Sequence, residues 1–224
     1  MAAATFADRA DAGRRLGAAL RHLRAGEGEP RPLVLGLPRG GVVVAAAVAD
    51  ALDADLDVLV VAKVRLPWQP ELALGAVASG GVRVVNEHVV RQVRPDPAEL
   101  DAAWRTATDA VEARERDLRA GTAPASARGR TVVVVDDGLA TGATARAALR
   151  AVRAMGARRT VLAVPIAPAE AVEELSTECD EVVALVAHPR FSAVSVAYRD
   201  FAQTDDAAVR QALGRGGPPG GAAP

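Results

Sequence analysis

The chain has 224 residues, of which 50% are hydrophobic and 25% charged, enough for one domain with a full core. Lys and Arg number 27 against 28 Asp and Glu, and a net charge of -1 argues against a nucleic-acid or anionic-membrane binder. The single Cys179 excludes an internal disulfide framework and a Cys-rich zinc site, and the scattered His22, His88 and His188 cannot alone make a metal centre.

No apolar run approaches the ~20 residues of a bilayer span. Residues 1–16 mix acids and bases and lack the apolar stretch of a secretory signal, so a cytoplasmic protein is expected. Phe6, Ala10, Gly13, Leu16, Leu20 and Leu23 recur at helical steps and predict a helix over about 5–24. GEGEPRP breaks it. LVLGL at 33–37 reads as a short buried strand, and VVVAAAVADAL beyond the turn PRGG as a helix. DVLVVAK at 57–63 reads as a second buried strand, which makes the first third a βαβ unit.

VRLPWQPEL at 64–72, with two prolines, predicts a loop. ALGAVAS and VRVV around Gly80-Gly81 predict a hairpin, and NEHVVRQV a short helix. Leu100, Trp104, Ala107, Val111 and Leu118 mark a long helix from Pro97 to Arg119, with a charged end, EARERDLR, that reads as a solvated face. After it come the strand TVVVV, the turn GLATG, a helix closed by Gly156, the strand TVLAVPI, the helix PAEAVEELSTEC and the strand EVVALVA. This alternation predicts an α/β fold: an open parallel sheet with helices on both faces. GRGGPPGGAAP at 214–224 reads as a disordered tail after a single domain over 1–213.

In such sheets ligands bind beyond the carboxyl ends of the strands. The Val132–Val135 run ends there in Asp136-Asp137, and a small-residue loop follows into a helix N-terminus. Loop amides and the helix dipole suit a phosphate; Thr141 and Thr144 add hydroxyls; the acids suit hydroxyls or a metal. A ligand with vicinal hydroxyls beside a phosphate, such as a ribose 5-phosphate, meets both needs. A plain turn with one acid as helix cap is the structural alternative.

VVVVDDGLATGAT resembles the signature of type I phosphoribosyltransferases for 5-phosphoribosyl 1-diphosphate (PRPP). The resemblance implies that fold with a small hood, here about residues 1–30 and 187–213. It implies that Asp136 and Asp137 bind the ribose hydroxyls and that Gly138, Ala140, Thr141, Gly142, Ala143 and Thr144 hold the 5′-phosphate. GLPRGG at 36–41 resembles the family's pyrophosphate loop, so Pro38, Arg39, Gly40 and Gly41 would hold pyrophosphate, with Pro38–Arg39 the candidate for a cis peptide. Lys63 and Arg65 would meet the diphosphate at the start of a mobile catalytic loop.

KVRLPWQPELALGAV and HPRFSAVSVAYRDFAQTDD resemble a subfamily of uncharacterised phosphoribosyltransferase-like proteins, sometimes associated with α/β-hydrolases, over roughly residues 5–206. Glu71 could act as general base or cap the next element. Trp68, Phe191 or Tyr198 could stack on an acceptor base, with ordinary packing as the alternative. The family implies Mg²⁺ carried mainly by PRPP, with Asp136 and Asp137 the candidate protein contributors and no dedicated cage, and a homodimer. The function so implied is transfer of phosphoribose to a nitrogenous acceptor with release of pyrophosphate. A non-catalytic PRPP or nucleotide sensor, and a hydrolase or phosphorylase acting on a ribose-phosphate ligand, remain open at this point.

Overall fold

The computed structural model describes residues 5–189 and 193–215. Its first helix, α1 (Arg9–Ala19), is capped by Asp8, whose side chain accepts from the amide of Asp11. It is shorter than the periodicity predicts: a 3₁₀ turn at Arg21–Leu23 carries the last apolar position, and Phe6 lies before the helix in a bridge with Tyr198. There follow β1 (Leu33–Gly36), α2 (Gly40–Leu52), β2 (Asp55–Val58), β3 (Val61–Val64), β4 (Gly75–Ala78) and β5 (Val82–Val85). Then come α3 (Glu87–Val93), α4 (Pro97–Arg119), β6 (Thr131–Val135), α5 (Ala143–Ala154), β7 (Arg159–Pro168), α6 (Ala169–Leu175), β8 (Glu181–His188) and α7 (Asp206–Arg215).

Five strands form a parallel sheet in the order β2-β1-β6-β7-β8. The valines of β6 show why it is sandwiched. Val132 and Val134 pack with Ala148, Leu149 and Val152 of α5, while Val133 and Val135 pack with Val44, Val48 and Leu52 of α2 and Leu16 of α1. Side chains alternate across a strand, so an unbroken valine run requires helices on both faces.

The predicted strand over 57–63 is two strands. β2 stays in the main sheet, while β3 pairs antiparallel with β4 in a second, three-stranded sheet completed by β5. The change of partner falls at Leu59 and Val60. The Leu59 amide still donates to Gly36 O, whereas the Val60 amide donates to Ser79 Oγ. Val58 to Ala62 are all apolar across the break, so hydrophobicity alone leaves the switch unmarked. The Gly80-Gly81 hairpin and α4 form as the sequence predicts.

The charged end of α4 is used within the chain. Arg114 pairs with Asp206 at 2.6 Å, and Arg119 with Asp57 at 3.0 Å and with Glu115. Of the segments assigned to a hood, α1 lies along α2, and α7 lies against α2 and α4. Residues 193–205 pass the carboxyl end of β6, where Tyr198 packs with Phe6 and Phe201. α7 runs two residues into the expected tail; residues 216–224 lie outside the described residues.

Candidate active site

β1 is the pivot of the sheet. The chain leaves it through α2 toward β2 on one side and leaves the adjacent β6 through α5 toward β7 on the other. Connections that diverge in this way open a crevice above the two strands. Gly36 pairs with Val135, and the Leu37 amide donates to Val135 O at 2.8 Å, so the 37–41 loop emerges beside Asp136-Asp137. The Pro38–Arg39 peptide is cis, the bond the resemblance singles out. α2 begins immediately at Gly40, and Arg39 at its N-cap contributes no side-chain cap. The first amides of α2 therefore have no partner within the helix. The Arg39 guanidinium leans toward Asp206, at 3.9 Å.

The two acids have different surroundings. Asp136 accepts from the amide of Asp137 at 2.9 Å. Its carboxyl is pushed up to about 8, first by burial and then by the neighbouring Asp137 charge. Asp137 is paired: its Oδ2 accepts from Arg9 Nε at 2.7 Å, with the two side chains 16% and 11% exposed respectively. The Asp137 main-chain carbonyl accepts from the Tyr198 hydroxyl at 2.6 Å. Burial, and then the Asp137 charge, raise the Tyr198 phenol well above its ordinary range, so it remains a hydrogen-bond donor. Two adjacent carboxylates in one desolvated place do not both ionise readily, which is what raises Asp136.

Sequence reasoning missed Arg9. It lies 128 positions from its partner, among other arginines of a helix, with no motif around it.

Beyond the acids, the Leu139 amide donates to Ile166 O at 3.0 Å and turns the loop toward α5. Gly142 sits at φ 69°, a left-handed conformation open to glycine, directly before Ala143 at the first turn of α5. Ala140, Thr141 and Thr144 are exposed there, and Gly138 is buried.

Part of the candidate set lines two cavities. A cleft of about 400 Å³ takes in Pro38, Arg39, Gly40, Asp136 and Asp137, together with Arg9, Phe201, Gln203 and Thr204. A second, of about 420 Å³ between β4–β5 and α5, takes in Lys63, Glu71, Thr141 and Ala143 with Arg146. Lys63 and Glu71 thus line one cavity with part of the 140–144 loop, apart from the acid pair. Lys63 lies inside β3 of the small sheet, not at the end of a parallel strand. Arg65 and Trp68 are exposed on the following loop.

Tyr198 reaches the site through its hydroxyl, since the residue is only 5% exposed. Phe191 lies outside the described residues. His22 contacts Glu181 at 3.0 Å, and Cys179 is a buried thiol raised by desolvation. Among the described residues no group of three or more His, Cys, Asp or Glu converges as a metal cage, and no helix is long and apolar enough to cross a membrane.

A family model described as a phosphoribosyl transferase domain matches residues 9–198. The chain belongs to this family. The match takes in Arg9, both loops and the acid pair of the phosphoribosyl transferase domain. Proteins of two Mycobacterium tuberculosis strains are provisionally named phosphoribosyl transferases; each is 48% identical over 210 residues, which is 94% of this chain and 46% of theirs. The chain spans about half the length of these curated relatives. The crystal structure of the TT1426 protein from Thermus thermophilus superposes with a TM-score of 0.84 at 44% identity, covering 94% of this chain and 98% of that one.

Proposed function

We propose that this chain binds PRPP with Mg²⁺ and transfers its phosphoribosyl group to a nitrogenous acceptor, a base or an amine, releasing pyrophosphate. The observation that carries this reading is the arrangement at the β1–β6 switch, where two carboxylates stand between the N-termini of α2 and α5. Helix N-termini attract phosphates, and carboxylates accept from hydroxyls. PRPP carries diphosphate, vicinal hydroxyls and a 5′-phosphate in the matching order.

In this reading Pro38, Arg39, Gly40 and Gly41 hold the diphosphate, and Asp136 and Asp137 orient the ribose hydroxyls. Gly138 and Ala140–Thr144 hold the 5′-phosphate. Mg²⁺ would rest on ligand oxygens, with the acid pair the nearest protein carboxylates, and would offset the charge of the leaving group. The C1′–O bond breaks with its electron pair going to pyrophosphate, and the acceptor nitrogen forms the new bond with inversion. The acceptor's N–H proton passes to a base, for which Glu71 is the candidate. Lys63 and Arg65 approach the diphosphate as the 64–72 loop closes and excludes water. Catalysis is mainly positioning and charge stabilisation.

Calorimetric titration of PRPP with and without Mg²⁺ tests the reading, with Asp136→Asn/Asp137→Asn as control. Saturable, Mg²⁺-dependent binding lost in the control is expected, followed by pyrophosphate release across a panel of bases and amines. Absence of binding at millimolar PRPP would sink it. Tight binding with no pyrophosphate release from any acceptor would point to a sensing module.

A further inference from the structure

Arg9 has no role in the assignments above, yet its guanidinium meets three groups at once. Nε donates to Asp137 Oδ2 at 2.7 Å, and Nη1 donates to the Ala202 carbonyl at 2.7 Å. The guanidinium carbon also lies 3.9 Å from the centroid of the Phe201 ring. The side chain is 11% exposed and lines the same cleft as Asp137, Gln203 and Thr204.

This geometry is more than charge neutralisation. A carboxylate that must accept from a ribose hydroxyl works best when its rotamer is held beforehand. Asp137 is held twice, by Arg9 on Oδ2 and by Tyr198 on its carbonyl, and both contacts leave Oδ1 to other donors. Asp136 is held differently, by accepting from the neighbouring Asp137 amide. The arginine fork is divided between the acid and the 201–204 segment, so displacing either one disturbs the other. A lysine in the same place offers a point charge without the fork or the planar stacking.

We propose that Arg9 is a positioning residue of the phosphoribosyl site: it holds Asp137 by one carboxylate oxygen and, through Ala202 and Phe201, ties the 201–204 wall of the cleft to the acid that reads the ribose. The inference rests on the PRPP reading above. It makes a distinction among ligands. Those bearing ribose hydroxyls depend on Arg9 more strongly than inorganic pyrophosphate, because Arg9 bonds the ribose-reading acid directly and only borders the 38–41 loop.

The test compares wild type, Arg9→Lys and Arg9→Met by calorimetry with three probes, each with Mg²⁺: PRPP, ribose 5-phosphate and inorganic pyrophosphate. The Met variant is expected to lose at least about tenfold in affinity for the two ribose ligands, worth about 1.4 kcal/mol, while pyrophosphate stays within about twofold. The Lys variant is expected to fall between. Equal losses on all three probes would overturn the inference by assigning Arg9 to phosphate charge or to general integrity; unchanged affinity for the ribose ligands would overturn it as well. Thermal melts accompany each variant, and if Arg9→Met does not fold, Arg9→Lys carries the comparison on the same criteria. If wild type binds none of the probes, the PRPP reading and this inference fall together, a result visible before any substitution is made.

Discussion

The Cα of Gly40 lies against the carboxylate of Asp137, so that a methyl group there would fall 1.9 Å from Oδ2 and 2.7 Å from Arg9 Nε. This contact brings the N-terminus of α2 up to the acid pair and couples three segments distant in sequence: the first turn of α1, the start of α2 and the end of β6. A side chain at position 40 would have to push the carboxylate or the helix away, and either movement widens the crevice.

Gly40→Ala should therefore be costly on two counts. Overpacking is expected to destabilise the fold by about 1–3 kcal/mol in urea denaturation. PRPP affinity should fall as well. Gly26→Ala is the matching control, because its nearest neighbour would be the flexible Glu29 side chain at 3.6 Å; its stability should stay within about 0.5 kcal/mol of wild type.

The raised carboxyl of Asp136 predicts a pH dependence of known sign. An acid whose folded pKa is about 8, against 3.8 when unfolded, keeps its proton in the fold while the unfolded chain loses it. Its contribution to stability is fully present below about pH 4 and lost as pH rises toward 8. Asp136→Asn removes that loss. The stability difference between variant and wild type should move in the variant's favour by at least about 1 kcal/mol from pH 5 to pH 9. Chemical denaturation across that range checks it, and a flat difference would refute the assignment.

Arg119 and Asp57 form a buried pair, each side chain 9% exposed, and Asp57 also accepts from the Ala125 amide at 2.9 Å. Arg119→Met leaves the buried Asp57 carboxyl without its cation and short of donors, at an expected cost of about 3–5 kcal/mol. The double variant Asp57→Asn/Arg119→Met should recover part of it. Hydrogen exchange at the Ala125 amide should quicken in the single variant, since that bond pins the segment after α4 to β2.

Tyr198→Phe isolates one hydrogen bond. The ring keeps its packing with Phe6 and Phe201 while the donor to Asp137 O disappears. The expected loss is about 0.5–1.5 kcal/mol of stability in denaturant, with native-like packing retained. An unchanged stability would mean that water replaces the phenol at no cost.

Much of the frame is legible locally. The valines of β6 declare a strand covered on both faces because period-2 alternation leaves no other way to bury them all. The acid pair and the Gly142 loop are consecutive residues, so their juxtaposition with the N-terminus of α5 follows from a strand–turn–helix pattern. The same holds for the 37–41 loop and α2. The tertiary structure decided what joins these pieces. Nothing local says that β1 neighbours β6, the pairing that puts two loops from distant parts of the chain over one crevice. Nothing in the apolar run at 57–63 marks where the chain leaves one sheet for another, because Val58 to Ala62 are apolar on both sides of the break. Arg9 finds Asp137 across 128 positions. Periodicity and turn chemistry are properties of neighbouring residues and can be read along the chain, whereas strand order and long-range ion pairs depend on which surfaces meet once the helices have covered the sheet.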